Sequence, residues 1–505
     1  MSIHMMAPSY SQSELDRKLL NAANCLRGPV DPADFKAYIF PLLFFKRISD
    51  AWRHERAVAL ESYDGDEELA ALPENYRFIV PRGCLWEDLQ KVHENVGAAL
   101  QLMLERIQEA NPETLGGIFG GVRWGDKERL PESALTGVID VFDQLDLSPE
   151  NVPYDLLGNA YEYLLKNFAD ESGKKAGEFF TPRTVVRLLA QILKPVEDES
   201  ICDPACGSGG LLIESINEVR EAGGDARTLR IYGQEVSQTT AAIAKMNLFL
   251  HDIETFKIAR GDTLRDPKLK TPEGGLQKFD MIVANPPFSL KNWGYENWAT
   301  DPFGRADFGV PPKGYADLAF VEHMVKSLKP ETGRMAVVMP HGVLFRGGAE
   351  KEIRKNIIEA GLLEAVVGLP PNLFYNTTIP ACVLVCRSVI AEERRGDILF
   401  IDGAERFRKG KNQNELTTDD VEVLIQAYRT GADPDGEGGV HVRSVEIEEV
   451  EMNDFDLNIG RYIQREMEDE IEVADALASY QEARQTLRDA ESSMDERLKE
   501  AGFGA

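Results

Sequence analysis

An apolar run, Phe279-Asp280-Met281-Ile282-Val283-Ala284, leads directly into Asn285-Pro286-Pro287-Phe288. The run reads as a buried strand, and two successive prolines end it, because each fixes its own φ and restricts the residue before it. The Asn285 side chain and the Pro286 carbonyl therefore sit at a strand's C-terminal end, on a backbone that cannot relax. They form a fixed pair of hydrogen-bond acceptors. Taken alone, the tetrad reads equally well as a strand-ending turn, since Asn and Pro are ordinary turn residues.

The segments upstream narrow the choice. Ser200-Ile201-Cys202-Asp203-Pro204-Ala205-Cys206-Gly207-Ser208-Gly209-Gly210 reads as a short strand, a tight Gly-rich turn and a helix starting near Leu211. Glycines there let the backbone approach a ligand, and the helix N-terminus offers unpaired N–H groups. By itself this turn suits a dinucleotide or a phosphate as well as any other ligand. Leu229 to Glu235 is a second strand, ending in an acid placed to take both hydroxyls of a ribose. Ile258 to Asp262 is a third, with Asp262 placed to meet an adenine ring. From Ser200 onward strands and helices alternate, which predicts an open, mainly parallel sheet. Met335–Pro340, Leu363–Leu369 and Ala381–Cys386 bring the count to seven strands. The last two are joined too tightly for a helix, so they should pair antiparallel. Ligands bind such sheets at the switch point outside the strand ends, which would set the glycine turn beside the tetrad.

An exocyclic amine such as adenine N6 is a poor nucleophile until acceptors hold its hydrogens and favour a tetrahedral nitrogen, and Asn285 and Pro286 offer such acceptors, with Phe288 to stack on the base. At this point the chain resembles the S-adenosylmethionine-dependent N6-adenine DNA methyltransferases, and among them the modification subunits of type I restriction-modification systems. Gly177 to Arg183, upstream of the glycine strand, resembles that family's cofactor-covering segment. The stretches Arg27–Gly28 to Asp50 and the acidic C-terminal helix resemble its leader and tail, so most of the chain is covered. The resemblance implies an α/β fold: a seven-stranded Rossmann-like methyltransferase sheet with an N-terminal helical domain and a long C-terminal helix. It implies Asn285, Pro286, Pro287 and Phe288 as the catalytic tetrad. Asp203, Ala205, Gly207, Ser208, Gly209 and Gly210 would hold the methionine end of S-adenosylmethionine, Glu235 the ribose and Asp262 the adenine. Glu178, Phe179, Phe180, Thr181, Pro182 and Arg183 would cover it. The methyl would pass directly to a flipped-out adenine without metal or covalent intermediate. Two other readings remain open: a protein glutamine-amide methyltransferase, whose planar amide suits the same acceptors, and a scaffold that binds cofactor without turnover.

A chain of 505 residues is long for one core. The predicted division is a helical domain over 1–150, a catalytic domain over 151–445 and a partner-binding tail over 446–505. In the first, Ser11 to Glu14 resembles a capping signal, Phe35 to Ile48 reads as a helix flanked by Pro32 and Asp50, and Pro41 should kink or divide it. Asp170 to Lys175 reads as a polar loop over the cofactor. The connection 289–315 holds Trp293, Tyr295, Trp298, Phe303 and Phe308. These either line a pocket for the flipped base or pack on the helical domain. Ile463 to Leu498 reads as one helix of roughly 50 Å, with Ile471, Ala474, Leu477, Tyr480, Ala483, Leu487, Ala490, Met494 and Leu498 at three-four spacing for a partner.

There are 85 acids against 56 bases, a net charge of -29, which opposes duplex DNA. No stretch after the tetrad reads as a target-recognition domain. Sequence readout would then come from a specificity subunit, and the family arrangement implies a second modification subunit and a restriction subunit. Six cysteines without zinc spacing suggest buried thiols in a reducing cytoplasm, with Cys202 and Cys206 filling core. No histidine sits in a metal or triad pattern. There is no apolar run of membrane-spanning length and no basic leader, so membrane partners are not expected.

Overall fold

The computed structural model describes residues 10–172, 181–374, 379–410, 413–432 and 439–463, with positions 480, 481, 484, 485, 487, 488, 490, 494 and 497. Its centre is one sheet of nine strands: β1 Ser200–Asp203, β2 Arg230–Glu235, β3 Phe256–Arg260, β4 Met281–Ala284, β5 Arg334–Pro340, β6 Leu363–Gly368, β7 Ala381–Arg387, β8 Asp397–Asp402 and β9 His441–Glu446. They lie in the order β9-β8-β6-β7-β5-β4-β1-β2-β3. The seven predicted strands are all present, and β7 runs antiparallel to both β5 and β6 as its short connection requires. The strand count is corrected to nine. β8 carries a fully buried Ile398-Leu399-Phe400-Ile401 and pairs parallel with β6. β9 pairs antiparallel with β8 at the edge, where its partly exposed His441 to Glu446 carries too little apolar pattern to announce a strand.

β1 and β4 are parallel neighbours, with Ile201 opposite Met281. The order reverses there: β1 continues outward to β2 and β3, and β4 to β5. This is the switch point, and it brings the turn after β1 beside the turn after β4.

The helical part begins with Gln12–Asn24, whose N-cap Ser11 accepts from the Glu14 N–H at 3.4 Å. The helix predicted to stop at Asp50 runs from Phe35 to Ser62, straight through Pro41, so Pro41 does not divide it. Asp50 is a buried acceptor instead: it takes the Lys46 ammonium at 2.5 Å and the Leu147 N–H at 2.7 Å. The helix Tyr154–Ser172 likewise carries through the stretch expected to be loop as far as Ser172. This helical core is fused to the sheet's own helix Gln238–Leu250. Phe249 meets Phe44 at 5.9 Å and Phe78 at 5.4 Å, and the Tyr161 hydroxyl donates to the Ile243 carbonyl at 3.0 Å.

Residues up to Tyr462 form one compact unit, with β9 and the short helices Ile447–Met452 and Ile459–Tyr462 in it; the chain from Ile463 forms a second. In the second, the described residues from Tyr480 onward are helical, and Tyr480, Leu487 and Met494 are exposed. Ile471, Ala474, Leu477, Ala483 and Leu498 of the predicted stripe lie outside the described residues.

Candidate active site

At the end of β1 the chain turns through Pro204 to Gly210. Gly207 and Gly209 take φ of +53° and +85°, a region where a side chain would be strained. The Cys206 N–H donates to the Gln234 carbonyl at 3.0 Å, tying the turn to β2. Close approach also explains Gly233, where a Cβ would lie 2.7 Å from Ile258 Cδ1 and 3.0 Å from Cys206 Sγ. Cys206 is thus packing against bare backbone. From the turn the helix Gly210–Glu221 departs with its N-terminal N–H groups facing the strand ends.

Asp203 closes β1 and is 1% exposed. Its Oδ1 accepts from the Ala205 N–H at 2.9 Å. Burial, with the nearby Glu235 carboxylate adding to it, pushes the acid up to about 8 despite that bond. Glu235 closes β2 and accepts from the Gly207 N–H at 3.1 Å and the Ser237 N–H at 2.8 Å, so it braces the turn while facing the cavity. Asp262, just past β3, turns one oxygen back to the Leu264 and Arg265 N–H groups at 3.0 and 3.1 Å. The Thr263 hydroxyl donates to the Pro204 carbonyl at 2.5 Å and holds that segment against the glycine turn.

At the end of β4, the Asn285 Nδ2 donates to Thr181 Oγ1 at 2.9 Å. Pro286 is buried, and Phe288 is half-buried in an edge-to-face contact with Phe374 at 6.2 Å. Two cavities meet here. The larger, of about 310 Å³, lies between Glu235, Val236, Asp262, Asn285, Pro287 and Phe320. The smaller, of about 60 Å³, reaches Asp203, Thr181, Arg183, Gly210 and Asn247. Leu165, Ala205, Gly207, Ser208 and Asn285 line both, so Asn285 stands at the junction.

The structure therefore gathers most of the predicted site residues around one hollow. Gly209 shapes the turn without lining it, and Pro182 caps the helix Arg183–Leu193. Glu178, Phe179 and Phe180 lie outside the described residues. Several lining residues escaped the motif reading. Pro32 and Ala33, from the short turn of helix Pro32–Asp34, Lys36, from the start of the long helix after it, and Leu165 and Phe168 form a wall of the larger cavity. Asn247 donates to the Ser208 carbonyl at 2.9 Å, and its buried Oδ1 has no partner among the described residues.

Neither expectation for the aromatic connection describes its packing. Trp293 and Trp298 are buried against each other at 5.2 Å, edge to face. Trp298 Nε1 donates to Glu322 Oε2 at 3.1 Å on the helix Asp317–Lys326, and the Arg305 guanidinium lies 4.4 Å over the Trp298 ring. Arg305 also donates to the Thr263 and Leu264 carbonyls at 3.0 and 2.9 Å. The connection buttresses the segment after Asp262 from behind. Burial there pushes Glu322 up to about 9, and burial with the Arg305 charge pushes His323 down to about 3.

The model of the N-6 DNA methylase family matches residues 152–471, and that of the HsdM N-terminal domain matches residues 15–142. The chain is 32% identical over 479 residues to the type I restriction enzyme MjaVII methylase subunit of Methanocaldococcus jannaschii, covering 90% of this chain and 78% of that one. To the MpnII methylase subunit of Mycoplasma pneumoniae it is 29% identical over 504 residues, covering 90% of each. The crystal structure of the type I restriction-modification methyltransferase subunit from Streptococcus thermophilus matches with a TM-score of 0.77 at 30% identity, over 90% of this chain and 100% of that one. These relatives decide between the base and the glutamine amide that the tetrad alone leaves open. The chain belongs to the N-6 DNA methylase family, as a methylase subunit of the type I restriction-modification kind that methylates adenine N6 in DNA.

Proposed function

We propose that the hollow at the switch point binds S-adenosylmethionine and presents a flipped-out adenine to it, with Asn285 as the acceptor at their meeting point. The observation that carries this reading is the place of Asn285 in both cavities, with its Nδ2 held by Thr181 Oγ1. That bond commits the amide's donor end and turns its carbonyl oxygen to acceptor duty. Asn285 Oδ1 and the Pro286 carbonyl take the hydrogens of the target amine and keep its lone pair out of the ring, and Phe288 stacks on the base. S-adenosylmethionine, when bound, supplies an electrophilic methyl on a sulfonium. The donor set suits it. Asp203, buried beside the glycine turn, meets the ammonium of the methionine end. Ala205 and the Gly207 to Gly210 turn give it backbone contacts, Glu235 takes the ribose hydroxyls, and Asp262 meets the adenine moiety. Thr181 and Arg183 line the smaller cavity beside it, and the covering role expected of Glu178, Phe179 and Phe180 falls outside the described residues. Among the described residues no cluster suits a metal ion, and none is needed for this transfer.

Charge argues for a separate DNA-reading partner, and the family arrangement for the rest of the assembly. At -29 the chain repels DNA phosphates overall. A specificity subunit would supply sequence readout, with a second copy of this subunit and a restriction subunit completing the assembly. In this organisation residues 1–150 form the helical domain and 151–445 the catalytic domain, and of the expected 446–505 tail the part from Ile463, beyond the compact unit, meets partners. No helix among the described residues is long and apolar enough to cross a membrane. The cytoplasm, where the DNA is, is the proposed site of action.

One experiment tests the assignment. Asn285→Ala should abolish methyl transfer to DNA in the complex with the specificity subunit, while calorimetry on the purified chain finds cofactor affinity nearly unchanged. Cofactor affinity collapsing with the rate would show that Asn285 holds the cofactor instead. Sequence-specific methylation by the isolated wild-type chain would remove the need for the specificity subunit.

A further inference from the structure

We propose that Asp317 is a positioning residue for the catalytic tetrad, clamping the turn that follows it to Arg346, which ends the short helix Gly342–Phe345 after the neighbouring strand β5. The inference rests on the tetrad being catalytic, as proposed above. Ser289, next after Phe288, has a φ of +52°, a left-handed conformation that a residue with a side chain adopts at a cost. Something must hold it there. Its N–H donates to Asp317 Oδ1 at 2.6 Å. The other oxygen of that carboxylate, Oδ2, accepts from Arg346 Nη1 at 3.1 Å. Asp317 is 1% exposed, so the bond to Ser289 is made where water does not compete.

The first position of a helix is an ordinary place for an aspartate, and Asp317 opens the helix Asp317–Lys326. Its two oxygens are nevertheless spent elsewhere, on Ser289 and Arg346, and the helix N-terminus has no side-chain cap. Arg346 is itself fixed from several directions. Nη1 also donates to buried Glu350 at 3.2 Å, and the guanidinium lies 4.4 Å over the Tyr315 ring. Its backbone carbonyl accepts from Arg354 at 2.7 Å. Gly342 leaves the space the guanidinium occupies: a Cβ there would lie 2.3 Å from Arg346 Nη2. The clamp therefore joins the turn after β4 to the short helix after β5 through one buried carboxylate. The tetrad is restrained at both ends, by Thr181 on Asn285 and by Asp317 on Ser289.

The test uses the full chain with its specificity subunit and reads single-turnover methylation at saturating S-adenosylmethionine and DNA, with cofactor affinity measured separately. Asp317→Ala should slow transfer by about 100-fold, the scale of a small misplacement of reacting groups, with cofactor affinity unchanged. Glycine takes a positive φ freely, so adding Ser289→Gly to that variant should restore about tenfold. A purely structural role would give no such rescue. If Asp317→Ala does not fold, the isosteric Asp317→Asn carries the test, with transfer slowed at unchanged cofactor affinity. A rate within about twofold of wild type, affinity falling in step with rate, or no rescue by Ser289→Gly overturns the proposal. Asn285→Ala is run alongside: if it still methylates, the reading of the tetrad has failed, whatever Asp317 does.

Discussion

Asp203 and Asp280 flank two neighbouring parallel strands at opposite ends, and they have opposite chemistry. Asp280, immediately before β4, is 6% exposed and saturated. Its Oδ2 accepts from the Ser200 N–H at 2.9 Å, the Ser200 hydroxyl at 2.6 Å and the Lys329 ammonium at 2.6 Å, and its Oδ1 from the Thr332 hydroxyl at 2.6 Å. Burial works to raise it, but Lys329, Ser200 and Thr332 outweigh that and hold it well below the ordinary carboxylate range. Other acids at that end are matched in the same way. Glu364 meets Arg387 at 2.5 Å and Arg394 at 3.3 Å, and Glu199 meets Arg334 at 2.7 Å. At the other end Asp203 is buried as deeply, yet among the described residues no lysine or arginine pairs with it. A buried carboxylate given a cation by its own chain holds the fold together. One left without a cation, at the strand ends where α/β sheets take ligands, is open to a ligand that brings the charge, the role proposed above for Asp203.

The largest expected effect belongs to the matched acid. Asp280→Ala strands the Ser200 and Thr332 donors and unpairs Lys329, and should cost about 3 kcal/mol of stability. Denaturant midpoints would show it, with cofactor affinity of the folded fraction unchanged. An unshifted midpoint would break the comparison at its structural end.

Asp203→Asn should do the reverse. It keeps the shape and an acceptor for the Ala205 N–H, and an amide has no proton to take up on folding as the raised Asp203 carboxyl does at neutral pH, so stability should hold or rise. Cofactor affinity should fall about 10- to 100-fold, the worth of one hydrogen bond to a charged group. Wild-type affinity in this variant would mean that Asp203 does not meet the cofactor.

What the sequence made legible and what it hid follow the same division between local and long-range physics. Gly207 and Gly209, Glu235, Asp262 and the Asn285 tetrad all sit at strand ends, where turn chemistry and an abrupt change of pattern mark them, and the structure brings them together. β8 had a signal in its Ile398 to Ile401 run; β9, an edge strand with one residue truly buried, had almost none. Asp50 looked like a helix stop because a charged residue after an apolar run usually is one, and only the loop at Leu147, far along the chain, shows why it is buried. Lys36 and Phe168 reach the cavity because the helical domain shares a core with Gln238–Leu250, a packing no local pattern encodes. Trp293 and Trp298 could be recognised as functional or buried, but their partners Arg305 and Glu322 could not be read from spacing.

The smallest effect is the sharpest test of the unmatched acid, because it follows from a proton. Without cofactor, burial holds Asp203 up to about 8, whereas in the unfolded chain it titrates near 3.8. Between those values the folded state keeps a proton that the unfolded state has lost, so raising the pH through that window lowers stability, and above about 8 the loss is complete. From pH 7 to 9 the folded protein gives up most of that proton, which amounts to about 1 kcal/mol. Other groups titrate there too, Glu322 at about 9 among them, so the quantity to measure is the difference between wild type and Asp203→Asn. Stability of the wild-type chain should fall more steeply from pH 7 to 9 than that of the variant. Saturating S-adenosylmethionine should flatten the difference, because a cation beside Asp203 favours its ionised form throughout. Parallel curves for the two proteins without cofactor would place Asp203 in a solvated or paired environment and end the contrast with Asp280.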